Sequence, residues 1–117
     1  MPKIRRFKTG ATRDNLNGKI EYEGFLSPIV LEEFGKYMNK HRVQKDGKIR
    51  ESDNWQKLFG KEHYQVCADS LLRHVIDFWL FHRGFKGRDT IKDALCGIMF
   101  NAQGYLFKLL KDEYGRK

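Results

Sequence analysis

The chain has 117 residues and a formal net charge of +8, from 23 lysines and arginines against 15 acidic residues. This length is typical of one domain, and we predict a single domain over residues 1–117. No apolar run approaches the ~20 residues of a membrane span, and the basic N-terminus lacks the apolar stretch of a signal peptide. We therefore expect a cytoplasmic protein with no membrane partner. The excess of positive charge favours an anionic partner, although a merely solubilising surface is the alternative.

The first half of the chain predicts an arm, a helix and a loop. Residues 1–24 are polar and rich in turn signals, so we predict an irregular N-terminal arm with a short extended piece at residues 19–22. Ser27 suits the N-cap and Pro28 the first position of a helix that runs to about His41. Residues 42–60 form a long charged loop, and Trp55 within it favours an ordered, functional loop.

Two further helices complete the predicted body, one over about residues 62–83 and one from a cap at Asp89 to about Tyr114. The former carries apolar side chains in almost every direction, which is typical of a buried helix. The predicted fold class is therefore all-α. It is a small helical bundle of three main helices over residues 25–114, with the irregular arm and the long loop. We expect a homo-oligomer, in which a second copy completes the core.

Three polar side chains interrupt the apolar helix of residues 62–83. Arg73, His74 and Asp77 lie on one narrow face of that helix because of their spacing. Burying charged groups without partners costs several kcal/mol, so these side chains face one another or a wet pocket. One interpretation is an internal Arg73–Asp77 ion pair that stabilises the bundle, and the other is a binding pocket.

A stripe of polar and small residues follows the last predicted helix. Asp93, Gly97 and Asn101 recur every four residues, and Gly104 follows three residues later. Glycine inside a helix costs about 1 kcal/mol relative to alanine. Two glycines on one stripe therefore indicate that either a ligand or a neighbouring helix needs the space.

Basic and aromatic residues near turns suit a nucleotide. Arginine binds phosphate oxygens in pairs, and the turn at residues 9–13 offers backbone N–H groups to an anion. The full P-loop pattern is missing. Trp55 and Tyr22 have rings that can stack on a base. The basic candidates are Arg13, Lys19, Arg42, Lys57, Arg73 and Arg83.

Five motifs spread over residues 9–110 carry a family resemblance. They are GATRD at residues 10–14, KIEYEGFLSP at 19–28, DNWQK at 53–57, LRH at 72–74 and FN at 100–101. They resemble the dATP/dGTP diphosphohydrolase N-terminal domain family of phages, which is related to the all-α MazG-like nucleotide pyrophosphohydrolases. The resemblance implies an all-α fold, a nucleoside triphosphate ligand, Mg²⁺, release of pyrophosphate and oligomers with sites between helices. A phage origin would place the protein in the host cytoplasm.

The acidic residues depart from the MazG-like pattern. Those enzymes hold Mg²⁺ with pairs of carboxylates three residues apart, and this chain has no such pair. The remaining metal candidates are Glu33, Asp77 and Asp93, on different elements, and Asp53 is a further alternative. In an enzyme, His74 and Asp77 are the catalytic candidates. The nucleotide-binding candidates are Arg13, Lys19, Tyr22, Arg42, Asn54, Trp55, Lys57, Arg73 and Asn101.

Several functions remain open at this point. An enzyme would hydrolyse a nucleoside triphosphate to the monophosphate and pyrophosphate, and Mg²⁺ would be its cofactor. A non-catalytic binder would sequester a host immune signalling nucleotide, and the missing acidic pairs favour it. A nucleic-acid binding module is a third candidate, whose binding would weaken steeply with salt. A structural phage component is a fourth.

Overall fold

The computed structural model of the protein describes residues 4–14 and 17–115. The described elements are mostly helical, which confirms the all-α fold class. Backbone contacts divide the chain into two compact units, Met1–Leu31 and Glu32–Lys117, where the sequence predicts one domain. None of the described helices is long and apolar enough to cross a membrane.

The first unit begins with a β-hairpin, which the sequence prediction of an irregular arm missed. Strands β1 (Ile4–Arg6) and β2 (Thr12–Asp14) are antiparallel. The N–H of Phe7 donates to the carbonyl of Ala11 at 3.0 Å and closes the turn between them. A short helix, α1 (Tyr22–Phe25), follows, and no strand forms over residues 19–22, where an extended piece is predicted.

Helix α2 (Pro28–Lys40) begins where the sequence predicts. The Ser27 hydroxyl accepts a hydrogen bond from the N–H of Val30 at 3.4 Å, so that it satisfies one of the free donors at the helix start. The boundary between the two units follows Leu31, inside this helix.

The segment predicted as a long loop has defined structure. An isolated β-bridge joins Val43 to Ile49. Two short 3₁₀ turns follow, at Asn54–Lys57 and at Gly60–Glu62. The segment therefore folds back on itself before it enters the next helix.

A helical hairpin of α3 (His63–His82) and α4 (Ile91–Tyr114) forms most of the second unit. Gly84, with a φ of +88°, follows the end of α3 and lets the N–H of Phe85 donate to the carbonyl of Leu80 at 2.8 Å. This is a Schellman-type helix end, in which glycine adopts the left-handed conformation at little cost. The predicted end of this helix is thereby confirmed.

The N-cap of helix α4 lies one residue later than predicted. The hydroxyl of Thr90, and not the side chain of Asp89, caps the helix, because it accepts a hydrogen bond from the N–H of Asp93 at 3.1 Å. Thr90 has the extended backbone that an N-cap residue requires.

Small residues on α4 allow α3 to approach closely. A Cβ built on Gly97 would lie 2.6 Å from ring atoms of His74, and one on Gly104 would lie 3.4 Å from Sγ of Cys67. The glycine stripe therefore serves the contact between these two helices. Few apolar residues are buried in the described part of the chain, namely Cys67, Ala94 and Cys96.

Candidate functional site

A cavity of about 650 Å³ lies in the second unit. Its lining comes from the C-terminal half of α2, the folded segment of residues 41–59, and parts of α3 and α4. Pockets for small molecules have volumes of roughly 300–1,000 Å³, so this cavity is large enough for a ligand of nucleotide size.

Backbone hydrogen bonds at the base of the folded segment place two arginines on the cavity lining. The N–H of Arg50 donates to the carbonyl of Arg42 at 2.9 Å, and Nε of Arg42 donates to the carbonyl of Arg50 at 2.8 Å. Nη1 of Arg50 donates to the carbonyl of His41 at 2.8 Å. Each guanidinium is thereby held in place by one bond while its other N–H groups stay available.

Lys57, at the end of the first 3₁₀ turn, adds a third cation to the lining. Within residues 4–14 and 17–115, no carboxylate forms an ion pair with Arg42, Arg50 or Lys57. Glu51 is the acidic residue that shares the lining with them. The lining therefore carries three cations against one carboxylate, and we call the part of it formed by Arg42, Arg50 and Lys57 its cationic side.

Aromatic rings form another part of the wall. Trp55 packs edge-on against Phe107, with ring centroids 4.9 Å apart, and this contact fixes its orientation. Tyr37 lies next to His41, with centroids 4.4 Å apart. Burial raises the pKa of the Tyr37 hydroxyl, and the negative charge of Asp93 raises it further. The Tyr37 hydroxyl is therefore neutral at pH 7.

Two polar side chains belong to the more buried part of the lining. Asn101 is 4% exposed, and its Nδ2 donates to the carbonyl of Gly97 at 2.8 Å. Because a carbonyl only accepts, this bond identifies the nitrogen of the amide and leaves Oδ1 as an acceptor. Burial lowers the pKa of His74 below 6.5, and the charge of Arg88 lowers it further, so the imidazole is neutral at pH 7.

His63 links the wall of the cavity to the helical hairpin, and sequence analysis missed it. Its Nδ1 accepts a hydrogen bond from the N–H of Phe59 at 3.2 Å, so the proton is on Nε2, which donates to the carbonyl of Gly104 at 2.8 Å. The ring is 1% exposed and stacks with Phe59 at 5.4 Å. A histidine at the start of an apolar helix gives no sequence signal for such a role.

The structure brings some of the predicted site residues together and separates others. Arg13, Lys19 and Tyr22 belong to the first unit and are exposed. Arg73 is exposed on α3 and is not part of the lining. The predicted residues on the lining are Arg42, Asn54, Trp55, Lys57, His74 and Asn101. Residues on the lining that the sequence analysis did not select include Tyr37, His41, Arg50, Ser70 and Phe100.

Asp77 pairs with Arg88 and not with Arg73, so the internal Arg73–Asp77 pair, one of the two interpretations of this helix face, is wrong. Nε and Nη2 of Arg88 each donate to Oδ2 of Asp77 at 2.8 Å, and the N–H of Arg88 donates to Oδ1 at 3.2 Å. Asp77 is 5% exposed, and the hydrogen bonds from Arg88 lower the pKa of its carboxyl below the ordinary value of 3.8. Asp77 therefore ties the α3–α4 connection to α3, and its catalytic role stays a prediction.

The three candidate metal ligands do not form a metal site. Asp93 accepts a hydrogen bond from Nζ of Lys40 at 2.7 Å, which lowers the pKa of its carboxyl. Asp77 is engaged by Arg88, which leaves Glu33 without a second free carboxylate from the predicted set. Within the part of the chain that the structure describes, no three His, Cys, Asp or Glu residues are grouped to hold a metal. The residues present do not fit a resident Mg²⁺.

Comparison with known proteins gives no relative of this chain. No family model matches it, and neither a curated protein nor a solved structure matches it. Its function is therefore inferred from the cavity alone.

Proposed function

We propose that this protein binds a nucleotide in the cavity of the second unit, with the phosphate groups on its cationic side. The supporting observation is the group of Arg42, Arg50 and Lys57 on one cavity, with no carboxylate partner among the described residues. Guanidinium and ammonium groups that converge on a pocket favour an anion with several acceptor oxygens, because each N–H then gains a charge-assisted hydrogen bond.

The rest of the cavity favours a nucleotide over a simple anion. The volume of about 650 Å³ exceeds what a phosphate group needs. Trp55 and Tyr37 supply aromatic surface of the kind on which a base stacks, worth ~1–3 kcal/mol per base in nucleic-acid complexes. Asn101 supplies an amide that can hydrogen-bond to a polar edge.

The proposal is binding without turnover. Hydrolysis to a monophosphate and pyrophosphate, which the resemblance to the dATP/dGTP diphosphohydrolases implies, needs carboxylates that hold Mg²⁺ beside the phosphates. Asp77 and Asp93 are instead engaged by Arg88 and Lys40. The role that fits such a binder is sequestration of a signalling nucleotide, one made by host defence if the protein is phage-encoded.

A nucleotide panel tests both parts of the proposal. The full chain is incubated with deoxynucleoside triphosphates, ribonucleotides and cyclic dinucleotides, in Mg²⁺ and separately in EDTA, and free ligand is measured by chromatography before and after heat denaturation. We expect one ligand to disappear from solution in EDTA and to return intact after denaturation. Conversion to a monophosphate only in Mg²⁺ would make the protein an enzyme. No depletion across the panel would overturn nucleotide binding.

Lysine variants test the location of the site. Lys57→Gln removes a charge from the lining, and Lys61→Gln removes an equivalent exposed charge four residues away that is not on it. A charge-assisted hydrogen bond contributes about 1.5–3 kcal/mol, so we expect Lys57→Gln to raise the Kd about tenfold or more. Lys61→Gln should leave the Kd unchanged. Equal effects of the two variants, measured by titration calorimetry, would place the ligand elsewhere.

A further inference from the structure

Helix α3 carries a second apolar face, which α4 does not cover. Leu72, Ile76 and Trp79 are 60%, 52% and 57% exposed. At about 100° per residue, these three lie on the side of α3 opposite to His63 and Cys67, which contact α4. Their spacing of four and three residues is that of a helix–helix seam. We call Asp69, Leu72, Ile76, Trp79 and Arg83 the α3 seam.

A groove lies at the C-terminal end of the α3 seam. It has a volume of about 240 Å³ and is lined by Ile76, Trp79, Leu80, Arg83 and Phe85. Phe85, which follows the end of α3, is 65% exposed. The seam thus combines a protruding leucine, Leu72, with an apolar groove two turns further along.

We propose that the α3 seam pairs with the seam of a second copy of this chain, with the two helices antiparallel and the two-fold axis at Ile76. The charges at the two ends favour this partner. Asp69 lies seven residues before Ile76 and Arg83 seven residues after it. An antiparallel pair centred on Ile76 therefore brings Asp69 opposite the partner subunit's Arg83, twice in one dimer.

The same register also fills the groove. Leu72 lies four residues before Ile76 and Leu80 four residues after it, so Leu72 is opposite the partner subunit's Leu80, on the groove wall. No ion pair of Asp69 or Arg83 is present among the described residues, and Asp69 accepts one neutral hydrogen bond, from Nε2 of Gln65 at 2.8 Å. Charge and shape are thus both complementary in one arrangement.

The exposed apolar area is large enough to supply much of a dimer interface. Aromatic side chains bury 150–250 Å² each, so the exposed parts of Trp79 and Phe85 together with Leu72 and Ile76 amount to roughly 400–500 Å² of apolar surface per copy. This is about the largest apolar patch that a monomer usually exposes. It supplies more than half of the ~800 Å² that each partner buries in a standard interface.

Charge reversal on the full chain tests the seam. By sedimentation equilibrium we expect a mass of about 28 kDa, twice the 13.9 kDa of one chain. Asp69→Arg and Arg83→Asp should each weaken the dimer at least tenfold, because each places like charges opposite each other, and the double variant should restore it. Lys92→Glu, an equal charge change to Arg83→Asp on exposed α4 surface, is the control. A monomeric wild type, or a double variant as weak as the single ones, would overturn the proposal.

Cysteine pairing under mild oxidation tests the direction of the helices. A mixture of Asp69→Cys and Arg83→Cys chains should form a heterodimeric disulfide, while Asp69→Cys alone should stay uncrosslinked. Parallel helices would give the reverse result, since each residue would then face its own copy. The native cysteines, Cys67 and Cys96, are buried, and the wild-type chain provides the background.

Discussion

His74 connects the packing of the hairpin to the cavity. Its ring lies against the backbone of Gly97 and also belongs to the cavity lining. Burial lowers the pKa of the imidazole below 6.5, and Arg88 lowers it further, while Asp77 raises it in part. Between the lowered pKa and about pH 6.5, His74 is therefore less protonated in the folded protein than in the unfolded chain.

This proton difference makes stability dependent on pH. Because the unfolded chain takes up the proton first, the contribution of His74 to the free energy of unfolding is fully present above about pH 6.5 and is lost as the pH falls towards the lowered pKa. Urea unfolding at pH 7.5 and 5.5 measures the loss. His74→Gln should reduce the difference between the two pH values, whereas His82→Gln, on the exposed side of the same helix, should keep it. An unchanged difference in His74→Gln would contradict this assignment.

Six of the predicted site residues lie on the lining of one cavity. They could be selected from the sequence because the signals for them are local or come from the resemblance. Trp55 stands out in a charged loop, and Asn101 on a stripe of small residues. The role of these residues in binding stays a prediction. Arg50 was missed for a physical reason: which of many loop cations faces a cavity depends on the β-bridge of Val43 and Ile49, which the sequence pattern does not reveal.

At the scale of elements, the contact between α3 and α4 depends on a missing side chain. A Cβ on Gly97 would meet the His74 ring at 2.6 Å, whereas a Cβ on Gly35 in α2 meets nothing within 4 Å. Gly97→Ala should destabilise the protein by about 1–3 kcal/mol through overpacking. Gly35→Ala should stabilise it by up to ~1 kcal/mol, because alanine is the better helix former. Chemical denaturation of both variants measures this, and a stabilised Gly97→Ala would show that the helices do not touch there.

The helices were predicted well because their signals lie within a few residues of each end. Ser27 and Pro28 fix the start of α2, and Gly84 fixes the end of α3. The β-hairpin was missed because its strands have three residues each, too few for an alternating pattern. The Arg73–Asp77 pair, one of two interpretations from the sequence, is wrong because Arg88 reaches Asp77 once the connection folds back over α3, which no helical spacing encodes.

At the scale of the whole molecule, the net charge of +8 is spread over both units. The first unit contains the predicted binders Arg13, Lys19 and Tyr22, whereas the cavity lining runs from Gly35 to Asn101 and belongs to the second unit. A ligand that used the predicted binders of the first unit would need residues 13–22, whereas a ligand of the cavity would not. The proposed binding in the cavity needs only the residues from α2 onward, because these include the whole lining.

A truncated chain tests whether the first unit contributes to binding. A fragment of residues 27–117 keeps the Ser27 cap, α2 and every lining residue of the cavity. We expect it to retain its helical circular dichroism signal and to bind the nucleotide identified in the panel with the affinity of the full chain. Titration calorimetry of the two proteins side by side makes the comparison.

The control for the truncation is the full chain with Arg13→Gln and Lys19→Gln together, which removes the two predicted phosphate-binding charges of the arm without removing its backbone. It should also bind with unchanged affinity, since these side chains are exposed in the first unit. If both proteins keep their helix content and lose affinity to the same extent, the two charges contribute to binding and the cavity is not sufficient. If only the fragment loses affinity, the backbone of the missing arm or the side chain of Tyr22 contributes to binding instead. Unchanged affinity in both excludes the arm from phosphate binding and leaves residues 27–117, which contain Arg42 and Arg50 on the cavity lining.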